Sequence, residues 1–229
     1  MEITPTAARR ISQFAWVMAV GGTVVGQVHA LARFQIPQHG DLEESALVRA
    51  WAEPAIRALR PLLDWSDMWT VYVTYGKIWT PVCVAFTAAA YLAYQRRRPE
   101  GVERRLWQVT LAAYAALTLA IFGDYFTPWM DQMFILTAFS MLVIGFSGIG
   151  FGILMLRNGF RPRLTPVLLI SFIPFMLAIT SVTSLGSALL PLMWAWAIAA
   201  QAIVGRERGE AEVVSVPGHA DTGRALPGT

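Results

Sequence analysis

The chain has 229 residues, of which 55% are hydrophobic and 14% are charged, and its mean hydropathy is +0.49. A soluble globule of this length needs more polar surface than that composition supplies. The net charge of +3 and the isoelectric point near 9.3 raise nucleic acid as a partner. The basic residues, however, are divided among separate loops, as in membrane proteins of fixed topology. We therefore predict a multi-pass membrane protein without a nucleic-acid partner.

The first predicted span runs from about Phe14 to Ala32 and follows a pair of arginines. Its length is about that of a full bilayer crossing, ~20 residues. The basic start and the Ala-x-Ala spacing at its end also fit a signal peptide with a cleavage site. We favour an uncleaved span because the apolar run is longer than the usual signal core. Gly22 and Gly26 also form a face suited to helix packing.

Residues 41–63 have the pattern of an amphipathic helix, with apolar and charged side chains on opposite sides. Asp41 and Glu44 resemble a capping box at its start. Pro54, near the middle, predicts a kink or a division into two helices. Because the segment lies between the first two spans, we place it on the outer side, in the interface or folded over the bundle as a lid.

The remaining apolar runs predict five more spans, so the fold class is an all-α transmembrane bundle of about six spans. These runs cover residues 68–94, 106–122 and 133–156, and then 165–205, which is divided by a polar turn. Gly148 and Gly152 predict close packing of the fourth span against a neighbour. Residues 1–208 then form the helical domain, and residues 209–229, without apolar periodicity, form a disordered cytoplasmic tail.

The motifs of common enzymes are absent from the sequence. Cys83 is the single cysteine, so neither an internal disulfide nor a cysteine metal cage is available. A membrane haem with paired axial histidines is improbable, since only His29 lies within a span. Walker-type, HExxH and GxSxG motifs do not occur. We predict no metal site and no cofactor.

Carboxylates and aromatic side chains gather at the predicted outer ends of spans two to four. The catalytic candidates are Asp64, Asp67 and Asp124. The candidates for ligand binding are His29, Trp69, Tyr72, Lys77, Trp79, Tyr125 and Trp129. An interfacial explanation competes with both sets, because aromatic residues form belts at membrane surfaces and Asp near a helix start favours the helix dipole.

A functional interpretation rests on the depth of two of these side chains. An ionisable group inside the hydrocarbon costs ~2.5 to 3.5 kcal/mol on insertion scales and rarely lies there without a partner or a role. Lys77 and His29 are the candidates at that depth, and Asp124 is the expected counter-charge of Lys77. We expect this pair to form the base of an outward-opening pocket covered by the amphipathic helix 41–63.

Two functions are compatible with these features. The first is a ligand-binding or accessory subunit of the bacterial inner membrane without a visible catalytic motif. Its partners would be membrane lipid, an isoprenoid or a quinone, and other membrane subunits. The alternative is an intramembrane lipid- or isoprenoid-modifying enzyme, in which a carboxylic acid starts the reaction and aromatic faces stabilise a cation. In size and hydropathy the chain resembles the membrane-integrated terpene cyclases, although no motif matches residue by residue.

The charge distribution generates a topology prediction. Four arginine clusters place 12 arginines on the cytoplasmic side, against five basic residues outside, so both termini are expected in the cytoplasm. Reporter fusions after Arg98 and after Arg208 should both give cytoplasmic signals, and an external signal at either site contradicts the topology. A mature protein beginning at Arg33 would identify the first span as a signal peptide.

Overall fold

The computed structural model describes residues 3–36 and 45–215, and all regular structure within them is helical. The all-α class predicted from the sequence is therefore confirmed. In chain order the elements are α1 (Pro5–Phe34), α2 (Ala46–Ala58), α3 (Arg60–Leu63), α4 (Met68–Gly76), α5 (Trp79–Arg97), α6 (Gly101–Phe126), α7 (Met130–Arg157), α8 (Leu164–Ile170), α9 (Phe172–Thr180), a 3-10 turn (Leu185–Leu189) and α10 (Leu190–Ser215).

Four helices in the described part of the chain, α1, α6, α7 and α10, are long and apolar enough to cross a membrane. The other two predicted spans are each divided into shorter helices. The second span breaks between α4 and α5 at Lys77 and Ile78, and the fifth breaks between α8 and α9 at Ser171. A total of about six spans is therefore not established by helix length.

The centre of the bundle is formed by α1, α5 and α10, which pack against one another, while α6, α7 and α8 complete it. The facing surfaces of these helices carry small buried residues, among them Ala15, Ala19, Ala89, Ala195 and Ala199. Lipid chains are as apolar as the side chains they replace, so helices associate in a membrane chiefly through close backbone packing. The alanines allow that approach.

The four arginine clusters meet at one end of the bundle. Arg96, at the end of α5, pairs with Glu207 of α10 at 2.6 Å and donates to the backbone oxygen of Ile3 at 3.0 Å. Arg97 pairs with Glu103 of α6 and donates to the backbone oxygen of Asn158 beyond α7 at 3.0 Å. The ends that the charge pattern predicts to be cytoplasmic therefore share one side of the fold.

Helix α2 occupies the opposite end, where it covers the last turns of α1. Ser45 caps it by accepting a hydrogen bond from the backbone nitrogen of Val48 at 3.3 Å, whereas the predicted Asp41–Glu44 box lies outside the described residues. The segment divides into two helices as expected, but at Leu59 between α2 and α3, because α2 continues past Pro54 to Ala58. Pro54 is exposed, so the backbone hydrogen bond that it removes lies on the outward face.

The structure differs from the sequence-based prediction in two further respects, the placement of one helix and the end of another. The amphipathic segment does not lie over Lys77 and Asp124, because Val48 and Ala52 pack against Phe34 and the neighbouring residues of α1, α3 and α4. Helix α10 also continues to Ser215, past the predicted domain boundary at 208. Residues 206–212 are mostly Arg, Glu and Ala, which are good helix formers. The remaining tail, residues 216–229, lies outside the described residues.

The glycines of α7 allow α8 to approach its backbone, as the sequence predicts. A Cβ atom added at Gly152 would lie 2.8 Å from the backbone oxygen of Pro166, and one at Gly148 would lie 3.2 Å from that of Leu169. Backbone atoms cannot move aside as a flexible side chain can. These two positions therefore fix the distance between α7 and α8.

We expect Gly152→Ala to lower the melting temperature in mild detergent, because the new methyl group would push α8 away from α7. Gly150→Ala is the matched control, since a Cβ atom there has nothing within 4 Å. Both changes add the same intrinsic helix propensity, about 1 kcal/mol in favour of Ala. Equal melting temperatures for the two variants would show that the α7–α8 contact tolerates a methyl group.

Candidate functional site

Two adjacent cavities lie at the end of the bundle opposite the arginine clusters. The first, which we call the polar cavity, has a volume of about 60 Å³ and is lined by side chains from α1, α4, α5, α6 and α7 and from the 3-10 turn with the residue before it. The second, the rim cavity, has a volume of about 520 Å³ and lies between α4, α6 and the start of α7. Asp124 and Tyr125 line both cavities. These two residues therefore form the wall between them.

His29 of α1 is the centre of the polar cavity's hydrogen-bond network and is 1% exposed. The indole nitrogen of Trp79 donates to His29 Nδ1 at 3.2 Å, and the Tyr125 hydroxyl lies 3.1 Å from Nε2. Tyr72 stacks on the imidazole with the ring centroids 4.7 Å apart. An indole can only donate, so Nδ1 carries no proton. The ring proton then lies on Nε2 and is donated to Tyr125.

Three glycines make room for the aromatic partners of His29. A Cβ atom at Gly26 would lie 2.6 Å from the Trp79 ring, and one at Gly186 would lie 2.5 Å from the Trp79 indole nitrogen. A Cβ atom at Gly76 would lie 2.0 Å from the Tyr125 ring. Each distance is far below a normal carbon contact. Trp79 and Tyr125 therefore reach His29 only because these three positions have no side chain.

Two opposite charges and two hydroxyl groups complete the lining of the polar cavity. Arg33 lies one turn beyond His29 on α1, and Asp124 precedes Tyr125 on α6. Thr137 and Ser184 are 6% and 2% exposed, and their hydroxyl groups have no hydrogen-bond partner among the described residues. The lining thus combines two opposite charges with two residues whose hydroxyl groups are buried.

The ion pair expected between Lys77 and Asp124 is not among the ion pairs of the described residues. Lys77 lies at the break between α4 and α5, where it is exposed, and its ammonium group is 5.5 Å from the centroid of the Phe126 ring. Asp124 faces the polar cavity, which Arg33 also lines. The prediction joined the two charges by depth alone, whereas the turn at Lys77 directs the ammonium outward. Both residues still line the rim cavity.

The other two predicted catalytic carboxylates line neither cavity. Asp64 pairs with Arg60 at 3.0 Å on the exposed surface. Asp67 caps α4 by accepting a hydrogen bond from the backbone nitrogen of Thr70 at 3.0 Å. The side chain and the backbone of Thr70 stabilise its carboxylate, and they hold the pKa of Asp67 below its usual value. Asp64 and Asp67 therefore each contact a residue three or four positions away along the chain, and neither contacts a cavity.

The predicted aromatic residues divide in the same way. Trp69 lines the rim cavity, and Tyr72 lines the polar cavity. The centroids of their rings are 5.6 Å apart. Trp129, at the start of α7, is 61% exposed and lines neither cavity. Of the predicted binding residues, His29, Tyr72, Trp79 and Tyr125 are therefore brought together, Trp69 and Lys77 lie at the rim, and Trp129 stands apart.

Sequence reasoning predicted Gly26 as a packing position but missed Arg33, Thr137, Ser184 and the packing roles of Gly76 and Gly186. Arg33 was counted only as a topological charge, Ser184 only as part of a polar turn, and Thr137 is a single hydroxyl residue in an apolar run. Within the described part of the chain, no group of three His, Cys, Asp or Glu residues is placed to hold a metal ion. Comparison of the chain with protein-family models, curated proteins and solved structures finds no match.

Removing the Tyr125 hydroxyl should destabilise the protein, because Tyr125→Phe leaves the Nε2 donor of His29 buried without its partner. An unsatisfied buried group costs roughly 1 to 3 kcal/mol. Tyr94→Phe is the control, since no hydrogen bond of the Tyr94 hydroxyl is found among the described residues. Unfolding should be measured by denaturant titration in detergent, and equal stability of the two variants contradicts the His29–Tyr125 hydrogen bond.

Proposed function

We propose that the chain is a multi-pass membrane protein that binds an isoprenoid-class lipid in the rim cavity and acts as a ligand-binding or accessory subunit. The observation that carries this proposal is the composition of the cavity wall. Its lining residues are Trp69, Val73, Lys77, Asp124, Tyr125, Phe126, Thr127, Pro128 and Met130. Ligand sites typically have volumes of ~300 to 1,000 Å³ and apolar, aromatic walls with a few polar groups. The rim cavity has that character.

The shape of the wall favours a single-chain, branched lipid. The aromatic side chains of Trp69, Tyr125 and Phe126 in this wall offer apolar contacts to a chain of methyl-branched segments. The rim cavity is a partly open space of about 520 Å³ between α4 and α6, and a lipid with two chains needs more volume than a lipid with one. Lys77 and Asp124 are the charged groups at this cavity and can orient the polar end of a ligand.

The same proposal includes six crossings, with both termini on the cytoplasmic side of a bacterial inner membrane. In it, α4 with α5 and α8 with α9 each cross as an interrupted helix. Interrupted helices are tolerated at membrane depth where the freed backbone groups meet protein or line a cavity. Lys77, at the first interruption, lines the rim cavity. The clustering of the arginines at one end of the bundle supports this topology.

An isoprenoid-modifying enzyme remains the second candidate because Asp124 lies between the two cavities beside aromatic rings. This candidate now depends on one carboxylate, since Asp64 and Asp67 line neither cavity. Acid-started chemistry needs a carboxylic acid in contact with the substrate. Conversion of an added isoprenoid, abolished in Asp124→Asn, would favour this enzyme over a binding subunit.

The binding proposal is tested by purification in mild detergent followed by mass spectrometry of bound small molecules. We expect about one isoprenoid lipid per chain in the wild type. Val73→Trp should lose it, because the larger side chain fills the rim cavity. Val84→Trp, an exposed position on α5 outside both cavities, is the control and should retain it. Diacyl phospholipid alone, or equal retention by both variants, contradicts the proposal.

A further inference from the structure

The segment that joins α7 to α8, residues 157–163, carries three arginines, and we call it the arginine loop. Arg157, Arg161 and Arg163 are all exposed, and no ion pair of theirs is found among the described residues. The sequence contains no Asp or Glu from position 132 to position 206. Arg96 and Arg97, by contrast, are each paired with a glutamate. The positive charge of the arginine loop is therefore not compensated within the described part of the chain.

Contacts with α6 and α5 fix the backbone from which these arginines project. The side chain of Asn158 donates to Glu103 at 2.6 Å, and its backbone oxygen accepts from Arg97 at 3.0 Å. Phe160 is buried, and the Arg97 guanidinium lies 5.7 Å from the centroid of its ring. Glu103 pairs with Arg97, so these two charges offset each other. Because the loop is already held in place, a partner needs to order little of it on binding.

Exposed apolar side chains lead up to the arginine loop along both of its helices. On α7, Ile153 is exposed and lies one turn before Arg157. On α8, Val167 is exposed and lies one turn after Arg163. Residues four positions apart lie on the same face of a helix. An exposed apolar surface therefore ends at positive charge on each of the two helices.

This order of groups matches the structure of a phospholipid, which has a phosphate at one end and apolar chains that continue from it. Guanidinium groups suit phosphate because their planar donors can bind two of its oxygens at once. Nucleic acid also offers phosphate, but it has no apolar chain to cover the exposed side chains of α7 and α8. A zwitterionic headgroup carries its own cation, which competes with arginine for the phosphate. The arrangement thus favours a lipid with net negative charge.

We propose that the arginine loop binds the headgroup of an anionic phospholipid, whose acyl chains lie along the exposed apolar faces of α7 and α8. Basic segments at the end of a membrane span attract anionic lipid in this way. The site lies at the opposite end of the bundle from the rim cavity and does not depend on an isoprenoid ligand. It requires that α7 crosses a membrane, for which this helix is long and apolar enough.

Phosphatidylglycerol and phosphatidylcholine with identical oleoyl chains test the headgroup, because they differ in net charge. Dissociation constants can be measured by titration with native mass spectrometry in detergent. We expect the wild type to bind phosphatidylglycerol at least about tenfold more tightly, since each arginine near an anionic surface contributes roughly a fivefold factor. The loop variant, with Arg157→Gln, Arg161→Gln and Arg163→Gln combined, should lose this preference.

Two further variants locate the effect. The control variant combines Arg9→Gln, Arg10→Gln and Arg208→Gln, which removes the same charge from exposed arginines at the same end of the bundle. It should keep the preference for phosphatidylglycerol. Lysine at the three loop positions retains the charge and should also keep most of the preference. A preference kept with lysine and lost with glutamine identifies charge, rather than misfolding, as the cause.

Every other outcome overturns the inference. Equal affinity of the wild type for the two lipids shows that the headgroup charge is not recognised, and an equal loss in the control variant assigns the attraction to the whole end of the bundle. Glycerol 3-phosphate that binds as tightly as phosphatidylglycerol removes the role of the apolar faces. Single-stranded DNA that displaces the lipid from the wild type but does not bind the loop variant assigns the loop to nucleic acid.

The test is independent of the proposed isoprenoid site. The loop variant should retain the lipid of the rim cavity, and Val73→Trp should retain the preference for phosphatidylglycerol, because the two sites lie at opposite ends of the bundle. Loss of both properties in either variant would show that the two sites are one or that the variant is misfolded, and it would contradict the separate site at the arginine loop.

Discussion

The structure at this end of the bundle depends on satisfying both ring nitrogens of His29 inside an apolar interior. In lipid surroundings an unpaired imidazole nitrogen cannot turn to water, so each nitrogen needs a protein partner. Trp79 and Tyr125 supply those partners from α5 and α6. One buried histidine thus connects α1 with α5 and α6, and it fixes where the two large aromatic rings must lie.

The positions of those rings in turn determine where small residues are needed. Gly26, Gly76 and Gly186 lie in three separate elements, yet each leaves space for Trp79 or Tyr125. A side chain at any of them would displace a partner of His29. The same arrangement leaves a gap beside the rings, which the charged and hydroxyl-bearing residues line as the polar cavity. Tyr125 therefore serves both as a hydrogen-bond partner and as the wall towards the rim cavity.

The two halves of the bundle differ in how they are stabilised. At the arginine end, ion pairs and hydrogen bonds from Arg96 and Arg97 join the helix ends. Between the two ends, the Trp196 indole donates to the Tyr114 hydroxyl at 2.9 Å within a buried aromatic cluster that lines neither cavity. A cavity at the arginine end is lined by Tyr94, Gln95, Arg98, Pro99, Glu100 and Arg104. The end with His29 differs because its cavities lie beside a buried network of a histidine and aromatic side chains. This contrast is why the proposed ligand site lies there.

The sequence by itself determined the all-α class and the presence of helices apolar and long enough to cross a membrane, because both depend on local composition. It also identified His29, Tyr72, Trp79 and Tyr125 as candidates and Gly148 and Gly152 as contact positions. Tertiary structure decided which of them meet. The predicted pair of Lys77 and Asp124 is not among the ion pairs of the described residues, where Lys77 is exposed at the break between α4 and α5 and lies over the Phe126 ring. Arg33, Thr137 and Ser184 could not be identified as site residues from the sequence. They line one cavity only because α1, α7 and the segment before the 3-10 turn pack together, and residue spacing along the chain does not encode that packing.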